Sequence, residues 1–164
     1  MSLHYVIDGY NVVRHRSFPS KAKKFETAAL ILSGYIFANQ LCGSPQNKAE
    51  IIFDGFPPRG NSSQSDTSQI RIIYSGKASA DDSIKSIIER HGTDRNIRIV
   101  SDDKEIVSFG RIYQVEVVPV EEFLKIAKMR ASSSVKRKID SAAKDLNYTQ
   151  VSAINEELKK KWLK

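Results

Sequence analysis

Four acidic blocks in this chain have the residue type and the position that carboxylate chemistry requires. Asp8 and Asp54 follow short apolar runs, Asp81-Asp82 opens a periodic helix, and Asp102-Asp103 follows a third apolar run. Such β-branched runs are typical of buried parallel strands, and open α/β sheets bind ligands at the carboxyl ends of their strands. Carboxylates held close together repel and raise each other's pKa. A hard divalent cation relieves that repulsion, so the pattern predicts a cation site.

A cation in such a site suits the hydrolysis of a phosphodiester, because carboxylate-held metals activate water and stabilise charge on phosphoryl oxygens. We expect Asp8, Asp81 and Asp102 to be catalytic, each contacting the ion or its waters. Asn11 is the fourth catalytic candidate, through its oxygen to a metal water or its amide to a phosphate. The further metal-ligand candidates are Asp54, Asp82 and Asp103. Since Mg²⁺ takes only one or two carboxylates directly, not every aspartate needs to touch it.

Each of these residues also has a purely structural interpretation. Asp and Gly are common turn formers, which could account for Asp8 and Asp54 before their glycines and for Asn11 in a turn. An acidic residue in the first turn of a helix, as at positions 81 and 82, is stabilised by the helix dipole. Positions 102 and 103 suit a helix cap. Neighbours on a helix do not share a face, so one member of each acidic pair should point away from the site.

Basic and hydroxyl side chains near the acidic blocks are candidates for binding the substrate. They are Arg14, Arg59, Lys77 and Ser101. Tyr10 and Phe56 have the ring type that stacks on bases, although core packing is the preferred role for Tyr10. The three histidines show no metal-ligand spacing with one another, and we expect them to be structural or at the surface.

Length and composition favour one soluble globular domain. The chain has 164 residues and a single cysteine, Cys42, so neither an intrachain disulfide nor a cysteine-based zinc site is expected. No apolar stretch is long enough to span a membrane, and the N-terminus lacks the pattern of a signal peptide. We therefore expect a cytoplasmic protein with no membrane partner.

The positive charge is concentrated near the C-terminus. The formal net charge is +7, of which the residues from Met129 onward carry +5. A basic protein with a local acidic pocket suits a polyanionic partner, because the basic surface attracts phosphates while a metal offsets the negative pocket. A basic tail that only aids solubility is the plainer alternative.

The hydrophobic pattern predicts an α/β domain with alternating strands and helices. Predicted strands lie at 4–8, 49–54, 70–74, 97–101 and 113–117, giving a mostly parallel central sheet of about five strands. Predicted helices lie at about 20–41, 79–91 and 103–109, and a Gly-Tyr-Asn turn follows the first strand. Helices at about 121–129, 135–146 and 150–163 complete the chain. The predicted organisation is a domain over 1–128 and a basic helical C-terminal extension over 129–164.

The order of four motifs resembles the NYN branch of the PIN-like nucleases, and most closely the bacterial YacP-type proteins. The motifs are VIDGYNVV at 6–13, IFDG at 52–55, SADD at 79–82 and VSDD at 100–103. The resemblance covers roughly the first 125 residues. It implies a three-layer PIN-like fold and a metal-dependent ribonuclease whose carboxylates hold one or two Mg²⁺ or Mn²⁺ ions.

The resulting hypothesis is a metal-dependent endoribonuclease that hydrolyses RNA at an aspartate-lined crevice. Its partner would be RNA, including structured or ribosome-associated RNA. The alternative is a non-catalytic RNA- or ribosome-binding module with the same fold, in which the lysine-rich tail supplies most of the affinity. A small-molecule phosphatase is less favoured, because no Asp-x-Asp-x-Thr block follows the first strand. The sequence does not specify the RNA target, RNA over DNA, or the oligomeric state.

Overall fold

A computed structural model describes residues 2–19, 25–58, 69–91, 96–127 and 129 of the chain. The compact unit discussed below ends at residue 127. The predictions for Arg59 and for the basic C-terminal extension fall outside the described residues. Within the described part, no helix has both the length and the apolar character needed to cross a membrane.

The centre of the molecule is a five-stranded sheet in which every pairing is parallel. The strands are β1 (His4–Asp8), β2 (Lys48–Phe53), β3 (Ile70–Tyr74), β4 (Ile97–Val100) and β5 (Glu116–Val118). Their spatial order is β3-β2-β1-β4-β5. Isoleucine and valine dominate these strands because both faces of the sheet are covered. The predicted parallel α/β architecture is confirmed.

Helices cover the two faces and complete three layers. The helices are α1 (Gly9–Arg14), α2 (Phe25–Asn39), α3 (Ala80–His91) and α4 (Lys104–Ile112), and residues 120–127 are also helical. One apolar cluster joins α1, α2 and the 120–127 helix to the sheet. A second cluster joins α3 and α4 to the other face.

Several predicted boundaries differ from the structure, three of them near the crevice or at the edge of the sheet. The Gly-Tyr-Asn segment was expected to be a turn but is the first part of α1, which Asp8 caps by accepting a hydrogen bond from the backbone N–H of Asn11. The helix α4 continues to Ile112, three residues beyond its predicted end. The turn that follows it uses Gln114 at φ 57°, which moves the start of β5 from 113 to 116.

The topology brings the site residues together. β1 is the central strand, flanked by β2 and β4, so the carboxyl ends of these three strands are adjacent. Asp8 is the last residue of β1, and Asp54 directly follows β2. The helix α3 begins at Ala80 and α4 at Lys104, both at the same edge of the sheet.

Candidate active site

Four of the predicted carboxylates line one open crevice of about 350 Å³ at the carboxyl ends of the strands. Its lining residues are Asp8, Asp54, Asp81, Asp103, Tyr10, Asn11, Arg14 and His15. The acidic members come from four separate chain segments, which the parallel sheet collects at one edge. The sequence pattern predicted that acids would converge here, but some of the acids that line the crevice differ from the ones it favoured.

Asp8 is the buried acid of the crevice, with only 7% of its surface exposed. Its Oδ1 accepts the backbone N–H of Asn11 at 3.0 Å, and its Oδ2 accepts the hydroxyl of Ser101 at 3.4 Å. Burial raises the pKa of Asp8 to about 6; the bond from Asn11 opposes the rise, and the negative charge of Asp81 adds to it. A positive charge in the crevice would favour the ionised form.

Asp54 and Asp81 are linked through the start of α3. Asp54 is exposed, and its Oδ1 accepts the backbone N–H of Ala80 at 2.6 Å. This bond satisfies one of the N–H groups that a helix start leaves without an intrahelical partner. Asp81 follows in the first turn, and its pKa is raised by burial and then by the charges of Asp103 and Asp54. The acids are therefore close enough to repel one another.

Asp103 combines a helix cap with a position at the crevice. It caps α4, since its Oδ1 accepts the backbone N–H groups of Glu105 at 2.8 Å and Ile106 at 3.2 Å. It also lines the crevice. Ser101 accepts the backbone N–H of Asp103 at 3.1 Å while donating to Asp8, so this hydroxyl ties together two acids of the site.

Asp82 lies on the outer side of α3. It is exposed, its backbone N–H donates to the hydroxyl of Ser79 at 3.0 Å, and hydrogen bonds with Ser79 lower the pKa of its carboxyl. It is not among the residues that line the crevice. The expectation that one member of this acidic pair points away fits the geometry, and Ser79 caps α3 by accepting this N–H.

Asp102 is not brought into the crevice with the other acids. Its Oδ1 accepts the backbone N–H of Val120 at 3.0 Å, and its Oδ2 lies 3.6 Å from Nε2 of His15. It lines a separate cavity of about 290 Å³ on the β5 side. Both carboxylate oxygens of Asp102 therefore have protein partners, and of the adjacent pair after β4 it is Asp103 that lines the crevice.

Asn11 is placed at the crevice, but its oxygen is already used. The side-chain oxygen accepts the backbone N–H of Asp102 at 3.2 Å. Of the two roles that the sequence left open, a donor amide facing a phosphate is the one this bond favours. The same contact fixes α1 against the segment that follows β4.

The predicted substrate-binding residues occupy different environments. Arg14 lines the crevice, with its guanidinium carbon 4.9 Å from the centre of the Tyr10 ring. Lys77 is exposed in the turn between β3 and α3. Ser101 is only 1% exposed, so its position suits orienting Asp8 and leaves little surface for a substrate.

His15 and Tyr10 are crevice residues whose importance the sequence reasoning underestimated. His15 was expected to be structural or at the surface, yet it lines the crevice and faces Asp102. Tyr10 packs its ring edge-on against Phe53 with 5.0 Å between centroids, as expected for a core role, and also reaches the crevice.

The family model of the YacP-like NYN domain matches residues 5–164. The chain belongs to this family, a branch of the PIN-like nucleases. The match includes the segment that the sequence analysis assigned to a separate extension. A search of curated proteins gave no match.

Two solved structures of Rae1 (YacP) from Bacillus subtilis share the fold. A single-residue mutant of that protein superposes with a TM-score of 0.62 at 16% identity, covering 92% of this chain and 89% of the other. A second Rae1 structure gives a TM-score of 0.59 at 19% identity, covering 98% and 92%. At these identities the similarity establishes the fold.

The crevice of this NYN domain offers oxygen donors for a metal. Among the described residues, no three His, Cys, Asp or Glu side chains are grouped so that they could hold one ion together. A hydrated Mg²⁺ or Mn²⁺ fits this geometry better than a fully protein-ligated ion, because Mg²⁺ keeps several waters and binds one or two carboxylates directly. The raised pKa values of Asp8 and Asp81 fit a site whose acids a cation would stabilise in the ionised form.

Proposed function

We propose that this protein is a metal-dependent endoribonuclease that hydrolyses RNA phosphodiester bonds in the crevice. The observation that carries the proposal is the convergence of Asp8, Asp54, Asp81 and Asp103 from four chain segments. Asp8, Asp54 and Asp103 each also accept a backbone N–H at a helix start, but capping does not explain why they meet Asp81, whose pKa is raised by burial and then by the charges of Asp103 and Asp54. A site that costs free energy without its ligand is typical of function.

The metal would be held mainly through its waters by these four aspartates. When bound, Mg²⁺ or Mn²⁺ supplies an activated water and stabilises charge on the phosphoryl oxygens. Asp8 keeps a fixed orientation because Asn11 and Ser101 both donate to it. The pairing of Asp54 with Ala80 holds the first turn of α3, and so Asp81, at the crevice.

Binding of the phosphate backbone would depend on positive groups around these acids. Arg14 lines the crevice, and its fork of N–H donors suits phosphate oxygens. The Asn11 amide provides a further donor beside Asp8. The net charge of +7 adds a non-specific attraction to nucleic acid, and outside the described residues Arg59 remains a predicted phosphate contact.

The adjacent pair in α3 supplies a matched test. Asp81→Asn should lower Mg²⁺- or Mn²⁺-dependent cleavage of a labelled RNA by about 10- to 100-fold or more, because it removes a crevice carboxylate. Asp82→Asn makes the same chemical change one residue away, on the outer side of the helix, and should cleave like wild type. Each protein is assayed with EDTA and then with metal added back.

Three results would contradict the proposal. One is equal cleavage by wild type and Asp81→Asn, another is cleavage that persists in EDTA, and the third is equal losses for Asp81→Asn and Asp82→Asn. Tight RNA binding without cleavage at any metal concentration would favour the non-catalytic RNA-binding alternative. In that case, removal of the residues after Met129 should abolish binding while the aspartate variants bind normally.

A further inference from the structure

The segment after β2 exposes a large aromatic side chain beside the crevice. Phe56 lies two residues beyond Asp54, and 69% of its surface is exposed. The backbone around it is held in place: the N–H of Gly55 donates to the hydroxyl of Ser75 at 3.2 Å, and the N–H of Gly76 donates to the carbonyl of Gly55 at 2.8 Å. The ring therefore projects from a fixed support.

The ring also leans toward the turn that follows β3. A Cβ built on Gly76 would lie 3.7 Å from Cε1 of Phe56, so the edge of the ring borders that backbone. Gly76 adopts φ 68°, a conformation that favours glycine. The next residue, Lys77, is exposed. The two turns thus place an aromatic ring and an ammonium group on one side of the acids.

The order of the strands defines that side. Because β2 lies between β3 and β1, Phe56 and Lys77 lie on the β3 side of Asp8, while Asp103 lies on the β4 side. A single exposed phenylalanine is ordinary on a protein surface. One that lies two residues beyond a crevice carboxylate, on backbone hydrogen-bonded to the neighbouring turn, is a platform on which a flat ring can stack.

We propose that Phe56 stacks on a nucleobase of single-stranded RNA and that Lys77 contacts the adjoining phosphate. The inference rests on the proposed nuclease function for its choice of ligand and assigns two residues that position it. Exposed aromatic rings bind bases by their faces with little regard to sequence. Bases paired inside a duplex have their faces covered, so the Phe56 stack requires an unpaired base.

Binding can be measured separately from cleavage. The full chain, in EDTA to prevent hydrolysis, is titrated into single-stranded RNA carrying 2-aminopurine, whose fluorescence changes when the base stacks. Phe56→Ala should weaken binding by roughly 5- to 150-fold, the range for loss of one base–aromatic stack. Phe56→Trp should bind like wild type, because it restores a ring. Phe37→Ala, at a residue that is 59% exposed on α2, should also bind like wild type.

Two outcomes would overturn the inference: equal binding by Phe56→Ala and wild type, or equal losses for Phe56→Ala and Phe37→Ala. An equal loss of binding to the same sequence as a duplex in Phe56→Ala would also contradict stacking of Phe56 on an unpaired base. Cleavage is scored in a separate assay with metal. If the protein stacks on RNA bases but does not cleave, the role of Phe56 stands and the nuclease function does not. If the protein cleaves normally and Phe56→Ala has no effect on binding, the nuclease function stands and the role of Phe56 does not.

Discussion

The carboxylate of Asp54, just after β2, accepts a hydrogen bond from the backbone N–H of Ala80, the first residue of α3, at 2.6 Å. The two residues are 26 positions apart in the chain. The contact fixes the helix that presents Asp81 directly to the central sheet. One acid of the crevice therefore positions another, and Asp54 has a structural role in addition to its place in the site.

This contact allows the two roles of Asp54 to be separated. Asp54→Ala removes the acceptor and should lower the free energy of unfolding by about 1 kcal/mol, as for loss of a helix cap. Asp54→Asn keeps an oxygen for Ala80 and should be nearly as stable as wild type. If the charge serves the metal, both variants should require more Mg²⁺ for half-maximal RNA cleavage.

Urea unfolding measures the stability of each variant. A titration of RNA cleavage with Mg²⁺ measures the concentration needed for half-maximal activity. Asp82→Asn is the matched control, since that side chain is exposed on the outer side of α3. Equal stability of Asp54→Ala and Asp54→Asn would contradict the capping role. An unchanged Mg²⁺ requirement in Asp54→Asn would contradict a role of the charge.

The raised pKa of Asp8 predicts a pH dependence of stability in the absence of metal. Between about pH 4 and pH 6 the unfolded chain ionises this group while the folded protein keeps its proton, so stability falls as pH rises. A shift from 3.8 to about 6 corresponds to about 3 kcal/mol at neutral pH. The side chain in Asp8→Asn is uncharged at every pH, so this variant should not show this part of the decrease in stability.

The measurement is urea unfolding of both proteins in EDTA at pH 4.5 and pH 7.5. The stability of Asp8→Asn minus that of wild type should be larger at pH 7.5 than at pH 4.5. Asp82→Asn should show almost no change over this range, because hydrogen bonding with Ser79 lowers the pKa of Asp82 from 3.8, so its contribution to stability is lost only at pH values below this range. If the difference between Asp8→Asn and wild type does not change with pH, burial does not control the titration of Asp8.

The position of Asp102 distinguishes a metal ligand from a positioning residue. Its contact with Val120 predicts that Asp102→Ala destabilises the protein by about 1 kcal/mol. Asp102→Asn keeps that oxygen and should retain most of the RNA cleavage, unlike Asp81→Asn. A loss of cleavage in Asp102→Asn as large as in Asp81→Asn, with normal stability, would instead support the ligand role suggested by the sequence.

The parts of the fold that could be predicted from the sequence are those set by local pattern. The apolar runs that became β1, β2 and β4 alternate with helical periodicity, which specifies a parallel sheet and places Asp8 and Asp54 at its carboxyl edge. Since these features depend on a few adjacent residues, tertiary contacts did not override them.

The choice within each acidic pair could not be predicted in the same way. Asp102 and Asp103 are adjacent, and the pattern suits either as a ligand or a cap. Asp102 turns toward Val120 and His15, partners distant from it in sequence. Such assignments depend on contacts between elements, which local spacing does not encode.

The junction between β1 and α1 gives a final prediction, because Gly9 has no room for a side chain. A Cβ at this position would lie 2.5 Å from the ring of Phe53. Gly9→Ala should therefore cost about 1–3 kcal/mol of stability, as overpacking does, and should reduce cleavage by displacing Asp8 and Asn11. Gly34→Ala, in α2 with no atom within 4 Å of the added carbon, should instead stabilise the protein by about 0.5–1 kcal/mol. Thermal unfolding and RNA cleavage of the two variants test this contrast. If Gly9→Ala has wild-type stability and activity, the Phe53 ring can move aside and the junction does not position the acids.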